Sequence, residues 1–229
     1  FDFEHPTIRG YSAGPDYNRY FKYYEHRDML GAFEAIDRVE ARFAECFSRA
    51  YTGPVEAVSC DDAEAVLVTL GSIAGLARES VARLREQGKR VGLLRVRYMR
   101  PFPAKLIAEA LAGAAAVGVL EKDISFGAEG TVFTNVNSAL QQAGCTTPTF
   151  NFIGGLGGDD ITSAQMDAMF DALLDSAGER GRDDAAAGRS CDDASTGQGA
   201  GLGRVSFLGI DFPAASQPAC GDDCEEGAR

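Results

Sequence analysis

The chain has no tryptophan and two histidines. It has 22 lysines and arginines against 34 aspartates and glutamates, a formal net charge of −12 over 229 residues. That deficit of basic residues argues against nucleic-acid binding, which needs a positive face. An acidic balance by itself implies only solubility. His5 and His26 have no Ser, Cys or Asp constellation beside them in sequence, so no nucleophilic triad is indicated. No apolar run approaches the roughly 18 residues of a membrane span, and no charged-then-apolar leader is present. A soluble, cytoplasmic protein is expected, with neither nucleic acid nor membrane as partner. The chain begins at Phe1 and not Met, and we expect it to be a piece of something longer.

Paired cysteines are also lacking. The six are scattered at Cys46, Cys60, Cys145, Cys191, Cys220 and Cys224. Thiols in a reducing compartment account for them. Cys220 and Cys224 make a C-x3-C in an acidic tail, without a second pair at metal-site spacing, so no metal site is expected.

What is present is alternation. Residues 1–25 are rich in Tyr, Pro and Gly and read as an irregular linker. From 26 to 50, Met29, Phe33, Ile36, Phe43 and Phe47 fall at helical steps, up to the breaking pair Gly53-Pro54. Short apolar runs at 65–70, 91–96, 117–120 and 149–153 then alternate with amphipathic stretches at 72–87, 104–112, 131–142 and from Thr162 or Ser163 to about 176. Ser72 suits a helix cap and Pro103 a first helical turn. Strand–helix repetition of this kind specifies a largely parallel sheet with helices on both faces and right-handed crossovers. Residues 177–204 are Gly, Ala, Asp and Ser with scattered Arg, a composition expected to be disordered. A last strand is expected at 205–212, within "RVSFLGI", and a disordered tail at 213–229.

Few motifs carry chemistry. Gly71-Ser72-Ile73-Ala74-Gly75 joins a strand to a helix, where backbone N–H groups hold anions, but it matches neither the Walker loop nor G-x-G-x-x-G. Gly154-Gly155-Leu156-Gly157-Gly158 precedes Asp159 and Asp160, which would repel a phosphate, and it reads as a turn. Arg95, Arg97 and Arg100 stand out in an acidic chain. They either pair internally with acids such as Glu121 and Asp123 or face an anionic partner. The stretch "VLEKDISFGAEG", residues 119–130, places a small-residue loop at the carboxyl end of a strand, the edge where open α/β sheets meet ligands and partner domains.

Three ordered motifs, "VLVTLGSIAGLARESVARLREQGKRVGLLRVRYMRPFP", "VGVLEKDISFGAEG" and "NFIGGLGGDDIT", resemble the second domain of the alpha chain of 2-oxoacid:ferredoxin oxidoreductases, most of all pyruvate:ferredoxin oxidoreductase. The resemblance runs from about His5 to Ser176, within which 26–176 is the domain, and "VSFLGI" is similar to the strand near that chain's end. It implies a three-layer α/β/α domain of transketolase carboxy-terminal type around a mostly parallel five-stranded sheet with one antiparallel strand. It also implies an oxidative decarboxylation of pyruvate to acetyl-CoA with electrons passing to ferredoxin. Thiamine diphosphate, Mg, iron–sulfur clusters and CoA would be held mainly outside this segment, which would contribute no catalytic residue. One departure is Asp159, where the family usually has Arg after "GLGG".

On this reading Arg97, Arg100, Ser125, Phe126, Gly127 and Gly130 form one surface that docks other domains or subunits. Two further classes compete with it. One is a stand-alone anion- or nucleotide-binding module built on Ser72 and the strand ends. The other is an electron-transfer protein using Cys191, Cys220 and Cys224.

Overall fold

The computed structural model describes residues 3–6, 12–51, 53–183 and 205–208. The order of elements is α1 (Pro15–Phe47), β1 (Val55–Val58), β2 (Ala65–Leu70), α2 (Ile73–Glu86), β3 (Val91–Val96), α3 (Ala104–Leu111), β4 (Ala116–Glu121), α4 (Thr131–Gln142), β5 (Thr149–Ile153), a 3-10 turn (Leu156–Gly158), α5 (Ser163–Asp183) and β6 (Val205–Phe207).

The sheet has six strands in the order β1-β3-β2-β4-β5-β6. Only β1 runs antiparallel, against β3. Strands buried on both faces need continuous apolar runs, and β2 and β4 have them. Alternate residues then serve two cores. Val66, Val68, Val117 and Val119 pack with Ile107 and Leu111 of α3 and with Phe133, Val136 and Leu140 of α4. Leu67, Leu93 and Leu120 pack with Ala77, Val81 and Leu84 of α2 and with Met166, Phe170 and Leu173 of α5. The result is the expected three-layer arrangement.

The sheet order contains a switch point. β2 is followed by α2 on one face, and β4 by α4 on the other, although β2 and β4 are neighbours. Their loops leave the shared carboxyl edge in opposite directions, the topological switch point of such sheets.

Four expectations need correction. The sheet has six strands and not five, because "VEAV" (Val55–Val58) adds an antiparallel edge and "VSF" joins the other edge parallel to β5. Residues 15–25, read as linker, are helical. Pro15 is the first residue of α1, a position where its missing N–H is no loss, with Gly14 before it. α5 continues past 176 to Asp183. Ser72 makes no side-chain cap on α2. The segments 184–204 and 209–229, with Cys191, Cys220 and Cys224, lie outside the described residues.

Candidate functional site

The carboxyl edge of the sheet is organised by one buried carboxylate. Glu121, the last residue of β4, is 2% exposed. Its Oε2 accepts the Val132 N–H at 2.7 Å and its Oε1 the Phe133 N–H at 3.1 Å. These are orphan donors of the first turn of α4, and Gly130 before them offers no side-chain cap. Glu121 therefore caps α4 from a neighbouring strand, with its charge at the positive end of the helix dipole. Burial raises its pKa above the ordinary carboxylate value, while the two backbone N–H groups and the Asn151 amide pull it down.

Asn151 completes the network from β5. Its Nδ2 donates to Glu121 Oε1 at 2.8 Å and to Val119 O at 3.2 Å, and its Oδ1 accepts from Gly130 N at 2.8 Å. Gly130 has to be glycine here, since a Cβ would fall on the Glu121 carboxyl group. The Glu121 carbonyl also accepts from Gly154 N at 3.1 Å, which ties the start of the glycine-rich turn to the same residue. Lys122 then lies against Gly155, where a Cβ would meet Lys122 Cε at 2.8 Å.

On this base stands the loop of residues 122–130. Ala128 N donates to Ser125 O at 2.8 Å and Ser125 N to Glu129 O at 3.2 Å, closing a turn in which Gly127 has φ +80°. Phe126 is 98% exposed at its tip, and Leu156 on the neighbouring turn is also exposed. An aromatic side chain held in water by a braced loop is the kind of group that anchors a protein interface.

The structure separates the arginines. Arg97 is committed to its own chain. It pairs with Glu40 of α1 at 3.1 Å, donates to Gly53 O at 2.5 Å, and lies over the Tyr51 ring at 4.6 Å from the centroid. Tyr98 donates its hydroxyl to the same Glu40, and burial, then that carboxylate, raises the Tyr98 pKa. Arg95 pairs with Glu56 at 3.4 Å, and Glu56 also meets Arg78 at 2.6 Å. Arg100 is exposed, with Nη1 on the carbonyl of Met99. Neither Arg95 nor Arg97 turns to Glu121, the counter-charge the sequence suggested. Arg100 and the 122–130 loop stay at the surface, and Arg97 is drawn instead to the end of α1.

Sequence reasoning missed the roles of Glu121 and Asn151. The available signal was polarity out of place: Asn151 lies between Phe150 and Phe152 inside an apolar strand. Among the described residues no three His, Cys, Asp or Glu side chains gather as metal donors, and no helix is long and apolar enough to cross a membrane.

Residues 63–166, from just before β2 into α5, match the family described as pyruvate:ferredoxin oxidoreductase core domain II. Pyruvate synthase subunit PorA of Methanothermobacter thermautotrophicus is 39% identical over 168 residues, covering 73% of this chain and 43% of that protein. Over the matched span the chain is a pyruvate:ferredoxin oxidoreductase core domain II. Ketoisovalerate oxidoreductase subunit VorA of Pyrococcus abyssi is 37% identical over 168 residues, 73% of this chain and 42% of that one. The chain thus spans less than half the length of these relatives. Among solved structures, a split-gene transketolase (the inactive beta4 tetramer) aligns at TM-score 0.44 and 16% identity over 56% of this chain and 43% of its own.

Proposed function

We propose that this chain is part of the alpha subunit of a thiamine-dependent 2-oxoacid:ferredoxin oxidoreductase acting on pyruvate, and that this segment is its scaffold and interface domain. The observation that carries the reading is the 39% identity to a pyruvate synthase subunit over 73% of the chain. In the assembled enzyme a 2-oxoacid and CoA give an acyl-CoA and CO2, and the two electrons released pass singly to ferredoxin. Bound thiamine diphosphate supplies the carbanion chemistry of decarboxylation, and protein supplies orientation and electrostatics. Thiamine diphosphate, Mg, iron–sulfur clusters and CoA are held mainly by other domains or subunits. The setting is the cytoplasm of a cell that carries out anaerobic metabolism.

The contribution of this segment is mechanical. Arg100 and the loop carrying Ser125, Phe126, Gly127 and Gly130 form the edge that meets a neighbouring domain. Glu121 and Asn151 hold that edge in shape, and Arg97 fixes α1 beside it.

The test is to tag the chain in its native host and purify the assembly under anaerobic conditions. The expected result is thiamine diphosphate-dependent reduction of viologen with pyruvate and CoA, and no reduction by the chain alone under the same conditions. An assembly without such activity on pyruvate or a branched 2-oxoacid overturns the reading, as does activity of the chain alone.

A further inference from the structure

Helix α1 is 33 residues long, about 50 Å at 1.5 Å per residue, and contains no buried residue. Its second half touches the sheet side of the molecule through Glu40, which holds Arg97 and Tyr98. Its first half behaves differently. Every residue from 15 to 31 is exposed. In that stretch Tyr17, Tyr20, Tyr23 and Tyr24 are 62%, 53%, 61% and 46% exposed, and Met29 and Leu30 44% and 55%.

From the structure we infer that residues 15–31 are a docking arm that inserts into an uncharged groove on another domain or subunit of the oxidoreductase. This inference rests on the function proposed above.

Three observations select that occupant. First, the charges of the arm are already used within it. Arg19 pairs with Asp16 at 3.1 Å, Lys22 with Glu25 at 2.7 Å and Arg27 with Asp28 at 2.9 Å. Arg19 and Arg27 also lie over the rings of Tyr20 and Tyr24. Three acids and three bases leave this stretch neutral in a chain of net charge −12. A partner need supply no counter-charge, only apolar lining and acceptors for tyrosine hydroxyls.

Second, the apolar groups are spread around the helix. With about 3.6 residues per turn, Tyr17, Tyr20 and Tyr24 share one stripe. Tyr23 and Leu30 lie about a quarter-turn or more to one side, and Met29 falls on the far side. A helix apolar on several sides is a helix meant to be enclosed. The arm of a second copy would cover a single stripe, and the arm spans only about 25 Å, so two arms side by side fall short of the roughly 800 Å² per partner of a stable interface. Two whole chains would also bring together two net charges of −12. A groove in a larger neighbour encloses the arm on several sides.

Third, tyrosine-rich exposed surface is what interfaces are made of. Tyr buries a large area at low entropic cost and keeps a polar tip.

The experiment compares tyrosine reactivity in the purified assembly and in the chain alone, using N-acetylimidazole and peptide mass spectrometry. The expected result is that Tyr17, Tyr20 and Tyr24 react about tenfold more slowly in the assembly, while a Tyr20→Asp, Tyr24→Asp double variant co-purifies with the other subunits at least about tenfold less. The double variant should melt as the parent chain does. Tyr20→Phe with Tyr24→Phe should keep assembly, because the apolar area is retained.

Equal reactivity of the arm in a catalytically active assembly overturns the inference and leaves the function standing. Protection already present in the chain alone, with a doubled mass in sedimentation, overturns it in favour of a second copy. Lack of thiamine-dependent viologen reduction overturns the functional reading, and that assay does not depend on the tyrosine data.

Discussion

The amide of Asn151 donates to Glu121 Oε1 at 2.8 Å between two parallel strands, with both side chains buried. Each side chain also holds the start of α4, Glu121 through Val132 and Phe133 and Asn151 through Gly130. Glu121→Ala leaves two helical N–H groups buried without an acceptor and takes one of the two acceptors of the Asn151 amide. Unfolding in urea should show a loss of about 3 kcal/mol, since bonds to a charged group are worth more than neutral ones. A loss within 0.5 kcal/mol, the usual range for surface changes, would mean the network is dispensable.

The same carboxyl group makes stability depend on pH. Burial raises the folded-state pKa of Glu121 above its ordinary value. The folded protein therefore holds this proton at pH values where the unfolded chain has released it. The stabilisation is fully present below the ordinary carboxylate range and is lost as pH rises through the raised folded value. Glu121→Gln cannot titrate, so the stability of the parent chain relative to this variant should fall over that window and then level off. A constant difference across the window would contradict the assignment.

Two glycines of the 122–130 loop should respond to alanine for different reasons. At Gly130 the new Cβ collides with the Glu121 carboxyl, so Gly130→Ala should cost about 2 kcal/mol by overpacking. At Gly127 there is open space but φ is +80°, so Gly127→Ala should cost about 1 kcal/mol through backbone strain alone. Only the Gly130 change should disturb the α4 amides. Backbone NMR shifts of Val132 and Phe133 distinguish the two.

Arg97→Ala removes the partner of Glu40, a contact to Gly53 O and the cover of Tyr51. The Arg97 side chain is only 13% exposed, so the loss should approach that of a partly buried ion pair, about 2 kcal/mol. Trypsin should then cut α1 at Arg38 and Arg42 sooner than in the parent chain. Unchanged cleavage would show that α1 is held by other contacts.

Phe126→Asp and Arg100→Glu change side chains that stand in solvent. Both should leave the melting of the chain within about 0.5 kcal/mol while weakening co-purification with the other subunits. Intact assembly in both variants would remove this edge from the interface.

The parallel core was legible because strands covered on both sides are built from near-continuous apolar runs. The runs of β2, β3, β4 and β5 therefore stand out whatever their neighbours. β1 was not legible, because Val55–Val58 is an edge strand with one exposed residue and an acid facing Arg95. The arm was missed because tyrosines and a proline suggested irregular chain, whereas Pro15 starts a helix that Gly14 leads into. In the site, the loop and its exposed Phe126 followed from the strand-to-helix handover. The role of Glu121 did not, because its partners are backbone donors eleven and twelve residues on. Charge counting offered it only as one possible partner of the arginines, and the geometry gave Arg97 to Glu40, 57 positions away.

The short strand β6 governs how the domain behaves while it is being made. Val205, Ser206 and Phe207 lie beside Asn151, Phe152 and Ile153 of β5, so that border of the sheet is covered by residues synthesised well after β5. Until the ribosome has passed Phe207, the outer side of β5 offers unpaired N–H and C=O groups to any extended segment nearby. A nascent or proteolysed chain ending before Val205 would lose the Leu208 contact from one core and present an open border. Three residues would then separate a self-limiting fold from one that recruits neighbours.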